Sequence, residues 1–138
     1  MHAECGILFL GGGGKHRARM EALRSLGFRV DESADLPAAE MLGGYHAVIV
    51  RARDAKALPT IGTRLRGRPH FGRRALLALV SDDAGKRECR DAQMCGFDEV
   101  LTESCGARDI AASVLRLLRG YPEYRCLLRT PKGRRKAA

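Results

Sequence analysis

Apolar residues along this chain fall into short runs that alternate with segments of helical periodicity. Continuous apolar runs such as Gly6–Leu10 are typical of strands buried on both faces of a parallel sheet. Apolar residues at helical spacing indicate amphipathic helices between those runs. The pattern predicts five strands, at Gly6–Leu10, Phe28–Glu32, His46–Val50, Ala75–Val80 and Phe97–Thr102. It predicts a helix after each strand, at Lys15–Leu26, Asp35–Gly43, Asp54–Arg66, Asp83–Cys95 and Ala107–Arg119.

Five strand–helix repeats with short connections predict an α/β fold. Right-handed crossovers between parallel strands place helices on both faces of one sheet, and the strand order 2-1-3-4-5 is a common result. We therefore expect a single doubly wound (βα)5 domain over residues 1–119. Residues 120–138 are rich in basic residues and broken by glycine and proline, so we expect a flexible C-terminal tail.

The longest apolar runs, such as Ala75–Val80, are too short for a membrane-spanning helix. The first residues lack the basic stretch and the long apolar stretch of a secretory signal. These observations predict a cytoplasmic protein without membrane insertion.

The net charge of +9 is unevenly spread along the chain. The tail 120–138 carries six basic residues against Glu123, a net charge of +5, and Arg51–Arg74 carries eight basic residues against Asp54. Such clusters could meet nucleic acid, an acidic protein face or a membrane surface, or they could be solvated loops. No helix-turn-helix or RNA-recognition motif accompanies them. A nucleic-acid-associated regulator that uses 51–74 and 120–138 is therefore an alternative hypothesis.

Four of the five cysteines lie between residues 89 and 126: Cys89, Cys95, Cys105 and Cys126. Their spacing contains no C-x₂-C pair, so it matches no common zinc or ferredoxin motif. An iron–sulfur cluster or a zinc ion held by these four residues, in a metal or redox sensor, is a further hypothesis. The alternative is that Cys89 and Cys95 are small buried hydrophobic residues.

In a doubly wound sheet, ligands bind beyond the carboxyl ends of the strands, so the residue that follows each strand is a candidate site residue. Gly11 and Gly12 follow the first strand, and Arg51 follows the third. Ser81 follows the fourth strand and Glu103 follows the fifth. These residues define the candidate site.

Three stretches over residues 6–119 together resemble response-regulator receiver domains, the CheY-like family. Tyr45–Arg51 (YHAVIVR) resembles the third strand of a receiver, which ends in the phospho-accepting aspartate. Gly96–Glu103 (GFDEVLTE) is similar to the receiver stretch GADDYLTKP, and Leu79–Ser81 resembles the fourth strand with its hydroxyl residue. The resemblance implies the flavodoxin-like fold already predicted from the pattern.

The same resemblance implies that the phosphorylation site is degenerate. The acidic pair that holds Mg²⁺ in receivers is matched by Gly11 and Gly12, and the phospho-acceptor by Arg51. The lysine that contacts the phosphoryl group is matched by Glu103, and only the hydroxyl residue is kept, as Ser81. Magnesium requires oxygen ligands, and a guanidinium has no oxygen to phosphorylate. We expect a pseudo-receiver that binds no magnesium there and is not an enzyme.

The two charge substitutions suggest a contact. An acid on the third strand has become a base, and a base after the fifth strand has become an acid. We therefore expect Arg51 and Glu103 to pair across the fourth strand, although each could instead point into solvent.

The resemblance implies a stand-alone regulator of two-component signalling, with a sensor histidine kinase or another two-component protein as its partner. It is similar in size and in its degenerate site to FixT-type antikinases, which inhibit their kinase. Receivers commonly dock on kinases through the first helix, and they present the face that Lys86–Arg119 matches to other partners. The expected partner contacts are Arg17, Met20, Arg24, Arg51 and Arg53. A monomer and a homodimer both remain open.

Overall fold

The computed structural model describes residues 5–11, 16–34, 39–52, 54–68, 71–72 and 74–120. The described residues contain one five-stranded sheet in the order β2-β1-β3-β4-β5. All its neighbouring strands are parallel. The predicted fold class and strand order are thereby confirmed. The strands are β1 (Gly6–Leu10), β2 (Arg29–Ser33), β3 (Ala47–Arg51), β4 (Ala75–Val80) and β5 (Glu99–Thr102).

Helices cover both faces of the sheet. The described α-helices are α1 (Arg17–Ser25), α2 (Leu58–Arg66), α3 (Lys86–Met94) and α4 (Ala107–Arg119). Side chains alternate along each strand, so Ile7 and Phe9 join the core beneath α1 and α4. Leu8 and Leu10 join the core beneath α2 and α3. The crossovers thus produce two apolar cores, one on each face of the sheet.

The first residues of several helices differ from the sequence-based prediction. The third long helix begins at Lys86 instead of Asp83, because Gly85 occupies its N-cap position and donates its amide to Glu88 Oε1 at 3.2 Å. Asp82 instead accepts the amide of Ser104 at 3.1 Å. Asp82 thus fastens the loop after β5 and does not cap α3.

Two other predicted helices begin as 3₁₀ turns. Asp54 accepts the amide of Lys56 at 3.0 Å and caps a 3₁₀ helix, Ala55–Ala57, before α2 starts with Pro59 in its first turn. The predicted helix from Asp35 is observed as a 3₁₀ helix over Ala39–Gly44, and Asp35 itself lies outside the described residues. The predicted tail 120–138 is also outside them, except for Gly120.

His46, just before β3, holds the start of β1 in place. Its Nδ1 atom accepts the backbone amide of Gly6 at 3.0 Å, so the neutral ring carries its proton on Nε2. Burial lowers the pKa of His46 below its ordinary 6.5, and the nearby charges of Arg74 and Arg29 lower it further. This contact gives His46 a structural role at the start of β1.

The lowered pKa of His46 predicts a pH dependence of stability. Below about pH 6.5 the unfolded chain binds a proton at His46 that the folded chain does not yet bind, so the free energy of unfolding falls as the pH decreases from that value. His46→Asn keeps an acceptor oxygen near the Nδ1 position and cannot titrate. We expect this variant to show a flatter dependence between pH 7 and pH 5 in urea unfolding. Equal slopes for the two proteins would contradict the assignment.

Across the part of the chain that the structure describes, no helix combines the length and apolar character needed to cross a bilayer.

Candidate functional site at the carboxyl edge of the sheet

The parallel sheet brings the predicted site residues to one edge. Arg51 is the last residue of β3 and pairs in register with Leu79 of β4. Ser81 directly follows β4, Glu103 directly follows β5, and Gly11 follows β1. The expected convergence of these four residues is therefore observed, while Gly12 lies outside the described residues.

Arg51 and Glu103 form the ion pair that the sequence suggested. The Nε atom of Arg51 donates to Oε1 of Glu103 at 2.8 Å. The two side chains are only 16% and 25% exposed, so solvent screens them less than a surface pair. The pair spans β4 at the carboxyl edge of the sheet.

We expect Arg51 and Glu103 to be energetically coupled. A double-mutant cycle with Arg51→Ala and Glu103→Ala should give a coupling free energy of about 1–2 kcal/mol, because a charge-assisted hydrogen bond of low exposure is lost in each single variant. Urea unfolding of the four proteins measures this coupling.

The matched control for that cycle is the exposed pair of Glu21 and Arg24, whose side chains are 63% and 41% exposed. Its coupling should stay below about 0.5 kcal/mol because solvent screens it. If the Arg51–Glu103 cycle couples no more strongly than this surface pair, the ion pair does not stabilise the site.

Arg19 of α1 is the site residue that the sequence analysis missed. Its guanidinium donates to the backbone carbonyl of Glu103 and, at 3.1 Å, to that of Cys105. Its other amino group lies 2.5 Å from Nδ1 of His16, a buried residue at the start of α1. Arg51 thus binds the carboxylate of Glu103 while Arg19 binds its carbonyl. An arginine within an amphipathic helix gives no sequence signal for a contact with a loop 84 residues away.

Gly11 cannot be replaced by an acidic residue without moving the backbone. Its φ angle is +75°, and a Cβ atom added there would lie 2.5 Å from the backbone oxygen of Arg51. Its amide donates to the carbonyl of Ser33 at 3.1 Å, which extends the β1–β2 pairing. The residues do not fit a receiver-type magnesium ion, because Gly11 supplies no carboxylate and Arg51 supplies a positive charge.

Ser81 faces carboxylates. Its hydroxyl donates to Asp83, and both residues line an open pocket of about 220 Å³. Asp54 and Glu88 also line this pocket, and each already caps a helix start. Among the described residues, no group of three or more histidine, cysteine, aspartate or glutamate side chains is arranged to hold a metal ion.

The described cysteines are distributed over the fold. Cys89 packs against the core beneath α2 and α3, whereas Cys105 packs against the core beneath α1 and α4. Cys95 ends α3 at the amino edge of the sheet. Burial raises the pKa of Cys105, and the charge of Arg19 partly offsets this. Cys126 lies outside the described residues, so the four-cysteine metal site stays a prediction.

The expected partner contacts divide into exposed and buried residues. Arg17 is exposed on α1, and Arg24 is exposed while it also donates to the carbonyl of Val30 at 2.7 Å. Met20 is only 4% exposed and belongs to the core, so its prediction as a surface contact was wrong. Helical periodicity turns Met20 towards the sheet together with Leu23. Arg53 is outside the described residues.

The basic cluster Arg51–Arg74 is not one surface. Arg51 lies at the carboxyl edge, whereas Arg66 and Arg74 lie at the amino edge, because α2 separates them along the sheet. Arg66 donates to Asp98 at 2.6 Å, and Arg74 donates to the carbonyl of Tyr45 at 2.7 Å. The described basic residues of 51–74 therefore do not form one surface, and the nucleic-acid hypothesis stays a prediction.

Solved structures with this arrangement of strands and helices include receiver domains and response regulators. Vibrio cholerae chemotaxis protein CheY4 is 13% identical with a TM-score of 0.69, and the match covers 84% of this chain and 100% of that one. The receiver domain of the Pseudomonas aeruginosa sensor histidine kinase PA1611, which has magnesium in its active-site cleft, is 21% identical with a TM-score of 0.66, and the match covers 85% and 99%. An atypical orphan response regulator, whose structure revealed a phosphorylation-independent regulatory mechanism, is 17% identical with a TM-score of 0.66 and coverages of 84% and 97%.

No protein-family model and no curated protein sequence matches the chain. At these identities the structural similarity shows the fold alone. The chain has the fold of receiver domains, with an arginine–glutamate ion pair at the carboxyl edge of its sheet.

Proposed function

We propose that this chain is a pseudo-receiver that regulates two-component signalling by binding a partner without being phosphorylated. The observation that carries the proposal is the ion pair between Arg51 and Glu103. In this proposal the guanidinium of Arg51 stands at the acceptor position, where it cannot be phosphorylated, and its pair with Glu103 attracts the loop after β5 towards β3. In this proposal the protein has no catalytic step, and its activity is binding.

The contacts of Arg19 support a fixed arrangement of the binding surface. Through Arg19, α1 is fastened to the same loop that Arg51 holds, so α1 and the β5–α4 loop form one unit. The exposed side of α1 includes Arg17 and Glu21. We propose that this side contacts the dimerisation helices of a sensor histidine kinase and lowers its autophosphorylation, as in FixT-type antikinases.

A labelling experiment tests the absence of phosphorylation. Acetyl phosphate and magnesium should leave no acid-labile phosphoryl group on the wild-type chain in intact-protein mass spectrometry. The receiver domain of the kinase PA1611 serves as the positive control. Arg51→Asp should also stay unlabelled, since Gly11 supplies no carboxylate for magnesium. An aspartate-linked phosphoryl group on the wild-type protein would overturn the proposal.

A kinase assay tests the proposed partner. The chain is titrated into autophosphorylation reactions of purified sensor histidine kinases from the source organism, with binding measured by calorimetry. We expect at least one kinase to bind and to lose activity, and Arg17→Glu to weaken that binding about tenfold or more by reversing a contact charge. Arg87→Glu, on the first turn of α3, is the matched control and should bind like wild type. Binding by no kinase would contradict the proposal.

A further inference from the structure

Arginine is concentrated at the amino edge of the sheet, opposite the Arg51–Glu103 pair. Because all the strands are parallel, each α-helix returns to this edge, and the last turns of α1, α2 and α4 carry arginine. Cationic side chains in a last turn also interact favourably with the helix dipole, which explains part of this pattern. Loops and strand starts add further arginines. The described arginines of this edge are Arg24, Arg29, Arg64, Arg66, Arg68, Arg74, Arg116 and Arg119.

Acidic residues neutralise only part of this charge. Four of the arginines form ion pairs with Glu21, Asp31, Asp98 and Glu99. One more acid, Asp91, lies in the last turn of α3. Eight arginines against five acids leave a net charge of +3 at the described amino edge. Arg64 and Arg119 are exposed and form no ion pair with another described residue, so part of this excess faces solvent.

The basic tail is attached at the same edge. Helix α4 ends at Arg119 with Gly120 as its C-cap, and residues 121–138 continue from there with six basic residues against Glu123. By sequence these residues carry a net charge of +5, and the described amino edge carries +3. Together they account for +8 of the net charge of +9.

Exposed aliphatic side chains lie at this edge too. Leu26 at the end of α1 is 42% exposed, and Met94 at the end of α3 is 79% exposed. They are the exposed large hydrophobic residues of the described chain, and they flank the arginines from opposite faces of the sheet. Phosphate recognition on a nucleic acid needs no protruding aliphatic side chain, whereas a lipid interface accepts both apolar and cationic groups. The combination therefore favours a lipid surface.

We propose that the amino edge of the described fold binds the surface of an anionic lipid bilayer. The arginines contact lipid phosphates, and Leu26 and Met94 enter the interfacial layer without spanning it. Asp54, Asp83 and Glu88 line the pocket at the opposite edge, and an anionic surface repels them. The bound protein is thus oriented with the Arg51–Glu103 edge towards solvent, where a partner can reach it.

Vesicle flotation of the full chain tests this proposal independently of any kinase. We expect binding to vesicles of 70% phosphatidylcholine and 30% phosphatidylglycerol, no binding to pure phosphatidylcholine, and release at 0.5 M salt. The double variant R64E/R119E should weaken partitioning about 25-fold or more, because each basic residue near an anionic surface contributes roughly fivefold. Met94→Ser should weaken it several-fold without a charge change.

The matched control is R87E/R108E, which makes the same change in net charge in the first turns of α3 and α4 at the carboxyl edge. This variant should retain vesicle binding, and circular dichroism verifies that all variants are folded. Equal losses in the two double variants would show that only net charge matters and would overturn the surface assignment. Binding to random-sequence duplex DNA at 150 mM salt without vesicle binding would also overturn it, as would the absence of both.

Discussion

Replacing Gly11 by alanine is expected to lower the free energy of unfolding by about 3 kcal/mol, because the new methyl group meets two obstacles. The φ angle of Gly11 is +75°, a conformation that costs an L-residue about 1–2 kcal/mol. The Cβ atom would also lie 2.5 Å from the backbone oxygen of Arg51, which β3 cannot move without disturbing its pairing with β1. Urea unfolding followed by circular dichroism measures the change.

The control for this variant is Gly27→Ala. Gly27 also has a positive φ angle, of +103°, but no heavy atom outside Gly27 and its two chain neighbours lies within 4 Å of the Cβ position. Gly27→Ala should therefore lower the free energy of unfolding only by the conformational cost of the positive φ angle, about 1–2 kcal/mol. The effect of alanine on the unfolded chain is similar at both positions and cancels in the comparison. If Gly11→Ala were no more destabilising than Gly27→Ala, the close approach to Arg51 would not constrain the site.

Asp98→Ala is expected to lower the free energy of unfolding by about 3 kcal/mol, because the partly buried carboxylate of Asp98 accepts two hydrogen bonds that the variant loses. Oδ2 of Asp98 accepts the backbone amide of Leu76 at 2.8 Å, at the start of β4, and the guanidinium of Arg66 at 2.6 Å. Without the Asp98 carboxylate, the guanidinium of Arg66 has no carboxylate partner, and water replaces that partner poorly because the Arg66 side chain is only 25% exposed. The amide of Leu76 loses its acceptor as well. Chemical denaturation of the variant checks the prediction.

Two variants separate the contributions of Asp98. Asp98→Asn can still accept from Leu76 but lacks the charge, so it should lose about half as much stability as Asp98→Ala. Asp91→Ala removes an exposed acid from α3 and makes the same charge change as Asp98→Ala, and its effect should stay within about 0.5 kcal/mol. A similar loss for Asp91→Ala would indicate a general charge effect in place of the specific network.

The predicted site shows how far local sequence reasoning extends. Arg51, Ser81 and Glu103 could be placed at one edge because each follows or ends a recognisable strand, and parallel strands align their carboxyl ends. The opposite charges of Arg51 and Glu103 then suggest the ion pair that is observed, with Nε and Oε1 2.8 Å apart. Arg19 could not be found in this way, because its partners are backbone carbonyl groups, which have no sequence identity.

Met20 and the basic residues of Arg51–Arg74 show where local sequence reasoning fails. A position on a helix does not by itself make Met20 exposed, and proximity along the sequence does not make Arg51 and Arg74 neighbours in space. Met20 is buried because its helical phase matches that of Leu23. Arg51 and Arg74 are separated because β3 ends at one edge of the sheet while β4 begins at the other.

The sequence alone determined the parallel sheet and its strand order, because apolar periodicity is a local property and short connections between strands restrict the topology. Only the tertiary structure decided which groups hold Glu103, why Gly11 must lack a side chain, and that arginines distant along the chain share the amino edge. Those features depend on contacts between segments that are distant in sequence. Only the packing of helices against the sheet brings these segments together and sets the direction of each side chain.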